Sequence, residues 1–192
     1  QLRERWAEKG VRPPDMLDRK FAMIAKLLGR RANTSMILDT LHELEWITAR
    51  NLSLERYPHE IDRLDRKPPI AVADIIQTAK RYAEEKRNQR VIDFDDLLSL
   101  AIRDIEADPE YASVVHWRHR HLFVDEFQDV NPLQFRLLKA WIGPEPDLCV
   151  VGDPNQAIYA WNGADSWYLR KFTQHFPNAG VITLGHNYRS TP

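Results

Sequence analysis

The sequence predicts an α/β fold in which a helical stretch precedes a small parallel sheet. Three observations predict it. Apolar residues recur at helical spacing through the first ninety or so positions. Three short runs rich in valine, isoleucine and leucine follow, at residues 122–124, 148–151 and 181–184. Helical segments separate those runs, and parallel strands need a crossover that a helix supplies. At 192 residues the chain can bury a sizeable core, as one large domain or two small ones.

The division falls near residue 90, giving an all-helical subdomain over 1–90 and a sheet-bearing part over 91–192. Phe21, Ile24, Ala25, Leu27 and Leu28 share one helical face. Ile37, Leu38, Leu41, Leu44 and Ile47 share the next, with Asn33, Thr34 and Ser35 as N-cap candidates before it. Pro13-Pro14, Pro58 and Pro68-Pro69 punctuate the stretch. A third helix is predicted over 70–88, with Ile75, Ile76, Ala79 and Tyr82 on its apolar face. Trp6 and Trp46 read as core, and no β-rich run occurs in this half. From Val91 the pattern changes. Asp93, Asp95 and Asp96 open a helix with its acids first, as the helix dipole favours. The three apolar runs, read as parallel strands, follow it.

Charge and cysteine usage narrow the function classes. A formal net charge of −1 gives no global attraction to nucleic acid, so any such contact needs a local basic face. Arg30, Arg31, Arg63, Arg66 and Lys67 offer one, and fit an ordinary solvated face equally well because acids lie among them. The single cysteine, Cys149, excludes an intramolecular disulfide and suits a reducing cytosol, so a cytoplasmic location is expected. Within LCVV it reads as a small buried hydrophobe. There is no signal peptide and no apolar run long enough to span a bilayer. The first residue is not methionine and the chain stops at NYRSTP, so both ends read as cut.

Ligands of open α/β sheets collect at the carboxyl ends of strands. Three polar clusters fall there. Asp125-Glu126 with Gln128-Asp129 follows the first run. Gly152-Asp153-Pro154-Asn155-Gln156 follows the second, and Asn187-Tyr188-Arg189-Ser190 comes shortly after the third. An isolated pair of acids after a strand usually only starts a loop. Joined by a glycine turn, an amide that both donates and accepts, and an arginine suited to phosphate oxygens, it becomes an inventory for phosphoryl transfer.

VDEFQD, VGDPNQAIYAWNGAD and LGHNYRSTP, in this order and at these separations, resemble consecutive motifs of the UvrD/Rep/PcrA-type superfamily 1 DNA helicases. DFDDLL stands at the matching place ahead of them. The resemblance is strong over 91–192; the helical half resembles the accessory 1B subdomain in position and helicity. It implies an incomplete RecA-like parallel sheet with ATP and Mg²⁺ as ligands. In that reading Asp125 holds Mg²⁺ through water, and Glu126 is the general base that orients the attacking water. Gln156 contacts the γ-phosphate, Tyr188 stacks on the nucleotide base, and Arg189 stabilises charge on the transferred phosphoryl group. Gln128 and Asp129 brace the loop. Trp161 stacks on a base of single-stranded DNA. Tyr159 stays open between that role and plain packing. The implied partners are single-stranded DNA and single-strand/duplex junctions, with 3′-to-5′ movement and no membrane.

The sequence departs from the family pattern at several points. Asn162 stands where arginine is common, Val130 where threonine is, and Gly185-His186 where a glutamate often lies. No G-x-x-x-x-G-K-[ST] phosphate loop occurs, so the chain by itself is expected to be inactive as an ATPase. Two other classes compete: a non-catalytic single-strand-binding module, and a metal-dependent phosphoesterase built on Asp125, Glu126 and Asp129, which lacks further ligands. His116, His119 and His121 match no recognised metal spacing and read as a basic lead-in to the strand. Unpaired strand edges leave the oligomeric state open.

Overall fold

The structure, a computed structural model, describes residues 15–17, 19–144, 147–159 and 163–185. Among the described residues four helices lie in the first half: α1 (Lys20–Leu28), α2 (Thr34–Ala49), α3 (Tyr57–Arg63) and α4 (Val72–Gln89). Asn33 starts α2, its side chain accepting the Met36 N–H at 2.8 Å. Pro58 falls in the first turn of α3, where its missing N–H costs nothing. On α4 the buried positions Ile75, Thr78, Tyr82 and Lys86 recur every three or four residues. These faces meet around Ile24, Tyr57 and Ile75, all fully buried, with Trp46 beside them.

A buried charge sits within this core. Glu43, 2% exposed, accepts the Tyr57 hydroxyl at 2.8 Å and the Arg66 Nε at 2.9 Å. The Arg66 guanidinium also lies 4.3 Å from the Trp46 ring centre. Arg66 is therefore neither a solvated charge nor a free phosphate contact, because its donors neutralise a carboxylate that burial would otherwise penalise.

The stretch expected to be all-helical contains one strand. β1 (Asp15–Met16) pairs in parallel with β2 (Val91–Ile92). Two residues are too few for a period-two pattern to register in sequence. β2 leads into α5 (Phe94–Ala107), and the acids foreseen at its start form a reciprocal capping box: the Asp93 side chain accepts the Asp96 N–H, and Asp96 accepts the Asp93 N–H. Lys86 of α4 bridges both carboxylates, at 2.8 and 2.6 Å.

Then follow α6 (Pro109–Arg118), β3 (His121–Val124), α7 (Pro132–Ile142), β4 (Asp147–Val150), α8 (Trp167–Arg170) and α9 (Phe172–His175). β3 and β4 pair in parallel, from His121↔Asp147 to Val124↔Val150, with α7 as the crossover. Leu122, Val124, Leu148 and Val150 pack against Phe127, Phe135, Leu138 and Ile142. Among the described residues nothing covers the other face of the sheet: Phe123 is 83% exposed, and Cys149 is exposed rather than buried. Alternation along the pleat puts both on the uncovered side. The third apolar run forms no strand. Val181, Ile182 and Leu184 are 72%, 87% and 85% exposed, and the run adds to neither edge of the pair β3–β4. Without a ladder to join, its β propensity has nothing to act on. No helix among the described residues is long and apolar enough to cross a membrane.

Candidate functional site

Beyond the paired strands, Val151 N–H donates to Val124 O at 2.8 Å and Phe127 N–H donates to Val151 O at 2.9 Å. These bonds bring the segments after β3 and β4 out of the sheet side by side. Asp125 turns an oxygen back to the Glu126 N–H at 2.8 Å. Glu126 then adopts φ +51°, ψ +41°, a left-handed conformation costing a side chain roughly 1–2 kcal/mol. The next residue, Phe127, is fully buried and anchors the turn that imposes this conformation.

The Glu126 carboxylate is held from beneath. Its Oε2 accepts the Gln128 amide N–H at 2.6 Å. Gln128 is 1% exposed, and its Oε1 accepts the Asp153 backbone N–H at 3.0 Å. With a carboxylate at one end and an N–H at the other, the amide has one satisfactory orientation. Gly152 makes room for it: a Cβ there would lie 2.6 Å from Gln128 Oε1 and 3.1 Å from the Phe127 nitrogen. Asp153 continues the chain, its Oδ2 accepting the Gln156 side-chain N–H at 3.0 Å and its Oδ1 the Asn155 N–H at 2.9 Å. The Gln156 bond first, with those from Asn155, holds the Asp153 carboxyl below its ordinary range.

Glu126 and Gln156, singled out from sequence, are thus joined through two residues and three hydrogen bonds, in the series Glu126–Gln128–Asp153–Gln156. Asp153 is the member to which sequence reasoning gave no role; the signal was an acid three positions before the glutamine, the spacing of a tight turn. Asp125 is exposed at the mouth, where a carboxylate is a suitable hard donor for Mg²⁺. Among the described residues no group of three His, Cys, Asp or Glu could cage a metal. Trp161, Tyr188 and Arg189, with Asn162, lie outside the described residues. Tyr159 is described and half-exposed. The three histidines are separately engaged: His116 with Ala140 O at 2.9 Å, His119 against the Trp141 ring, His121 with Asp147 at 2.6 Å.

Parallel strands that end in an acid turn braced against a second polar turn define an α/β protein with its polar groups gathered at the strand ends. Comparison with known proteins makes this specific: residues 7–177 match the UvrD/REP helicase N-terminal domain, and the chain belongs to that family. It is 41% identical over 183 residues to ATP-dependent DNA helicase UvrD2 of Mycobacterium tuberculosis, covering 92% of this chain and 26% of that protein. It is 39% identical over 110 residues to ATP-dependent DNA helicase PcrA of Bacillus subtilis, covering 57% of this chain and 15% of that one. The chain thus spans about a quarter or less of the relatives it matches.

Proposed function

We propose that this chain is part of an ATP-dependent DNA helicase or translocase that moves 3′ to 5′ on single-stranded DNA and opens duplex at junctions, acting in the cytoplasm. Residues 91–192 form part of a RecA-like motor domain and residues 1–90 a 1B-like accessory subdomain. The observation that carries this reading is the hydrogen-bonded series from Glu126 through Gln128 and Asp153 to Gln156. A general base must hold its carboxylate in one orientation, and Gln128 fixes one oxygen of Glu126 while leaving the other for water. Gln156 lies at the far end of the same series, so a change in what it touches reaches the base through three hydrogen bonds.

Asp125 would hold Mg²⁺, which when bound neutralises phosphate charge. Tyr188 would stack on the adenine and Arg189 would offset charge on the transferred phosphoryl group. Trp161, with Tyr159 beside it in sequence, would stack on bases of the single strand. The 192 residues contain no glycine-lysine phosphate loop, so the chain by itself binds ATP poorly and does not turn it over.

Two measurements test this. The purified chain should show no DNA-stimulated ATP hydrolysis, and hydrolysis abolished by Glu126→Gln would overturn its predicted inactivity. A salt titration of oligothymidylate binding, repeated with Trp161→Ala, should show affinity reduced about tenfold or more, the scale of one lost stack. Binding unaffected by that change would remove the single-strand assignment.

A further inference from the structure

The two halves of the chain meet at several polar contacts, and the one of longest sequence separation joins Arg50 to Asp165. Arg50, the residue that ends α2, donates from Nη1 to Asp165 Oδ2 at 3.1 Å, with side chains 17% and 33% exposed. Asp165 lies shortly after the Gln156 turn in sequence. Its other oxygen accepts the Trp167 N–H at 3.0 Å, and its own N–H donates to Val130 O at 3.1 Å. The neighbouring Ala164 N–H donates to Tyr159 O at 3.3 Å. Beside the ion pair the backbone presses directly on α2. Gly163 is buried at φ +88°, and a Cβ on it would lie 2.9 Å from the Ala49 Cβ. Both a charge and a steric fit therefore seat residues 163–165 on the end of a helix from the first half.

We infer that Arg50 is a positioning residue for the single-strand contact: the end of α2, through Arg50–Asp165 and Ala49–Gly163, fixes residues 163–165, and Ala164 in turn holds Tyr159. This rests on reading Tyr159 as a strand-binding residue. The guanidinium is committed to the carboxylate rather than to a phosphate. Its Nε is buried with no hydrogen-bond partner among the described residues, so the contact rests on one Nη1 bond and the guanidinium charge rather than on a full set of arginine bonds. A lysine at this position keeps that charge.

The test exploits a conflict of signs. Asp165→Asn removes a negative charge, so electrostatics alone would tighten binding of a polyanion. Loss of positioning weakens it. In fluorescence anisotropy with labelled oligothymidylate across a salt series, Asp165→Asn and Arg50→Ala should each weaken binding about fivefold to tenfold, with the salt slope unchanged. The double variant should be no weaker than either single one, and Arg50→Lys should retain most of the affinity. Circular dichroism melting identifies a variant that fails to fold; if Arg50→Ala is one, Asp165→Asn and Arg50→Lys decide. Tighter or unchanged binding by Asp165→Asn overturns the inference. So does a salt slope reduced by about one in Arg50→Ala alone, which would make Arg50 a direct phosphate contact. Trp161→Ala and Tyr159→Ala in the same series separate the two readings. If they weaken binding and the pair does not, only the positioning role falls; if neither matters, Tyr159 and Trp161 are not strand contacts and both fall.

Discussion

A glutamine with no polar neighbours in sequence other than acids becomes, once folded, the most constrained side chain of the site. Gln128 is buried, and each end of its amide has one partner that only that end can satisfy. Gln128→Leu keeps much of the volume and deletes both bonds, leaving the Asp153 N–H without its acceptor. The cost should be about 1–3 kcal/mol, read as a lowered urea midpoint at constant slope. Gly152→Ala attacks the same contact from the other side. Its methyl would lie 2.6 Å from Gln128 Oε1 and 3.1 Å from a backbone nitrogen, and the backbone cannot yield as a side-chain tip can. A loss of similar size, about 1–3 kcal/mol, is expected. If both variants unfold with the wild-type midpoint, the amide is not wedged between these turns. Sequence showed that Glu126 and Gln156 belong together, because acid pair and amide follow consecutive strands. It could not show that Asp153 completes the path, since an acid in a turn is ordinarily only a cap.

The elements join through buried charge more than through apolar contact at one place, the start of α5. Lys86 reaches from α4 to Asp93 and Asp96, its ammonium 4.6 Å from the Tyr82 ring centre, and the Tyr82 hydroxyl also donates to Asp93 at 3.0 Å. Burial opposes the charge on Asp93, yet the hydrogen bond and charge of Lys86 outweigh it and hold that carboxyl below its ordinary 3.8. Burial acts first on Asp95 as well, and there it wins, raising the carboxyl despite Lys20. The two signs give two windows. Asp93 contributes stability that is present above pH about 4 and is lost as pH falls through its lowered value. Asp95 contributes stability present below pH about 4 and lost as pH rises through its raised value. Urea midpoints measured against pH should therefore lose part of their acid limb in Asp93→Asn and part of their decline above pH about 4 in Asp95→Asn. Lys86→Met, which strands two carboxylates, should cost up to roughly 3–5 kcal/mol at neutral pH. The capping acids were legible because a helix start has a chemical signature; the lysine was not, because its partners lie seven and ten residues away across a turn.

At the scale of the whole molecule, the helical half was legible because amphipathic helices carry their packing direction in their own spacing. The sheet was legible only as strands. LFV and LCVV are continuous apolar runs of the kind a doubly covered parallel strand carries, and they gave no warning that one face would be open. The structure covers the face of Leu122, Val124, Leu148 and Val150 and leaves Phe123 and Cys149 to solvent. A consequence is that residues chosen for apolarity on that face contribute little to folding in this chain. Phe123→Lys should leave the unfolding free energy within about 0.5 kcal/mol of wild type, as for an ordinary surface change, whereas a core phenylalanine would cost far more. The same substitution should lower binding of the dye ANS, which reports exposed apolar surface. Cys149, on the same face, should react with Ellman's reagent in the native chain without denaturant. A loss of 2 kcal/mol or more in Phe123→Lys, or a thiol that reacts only on unfolding, would mean that this face is packed within the chain. The open face of β3–β4 would then have to be redrawn as a covered one.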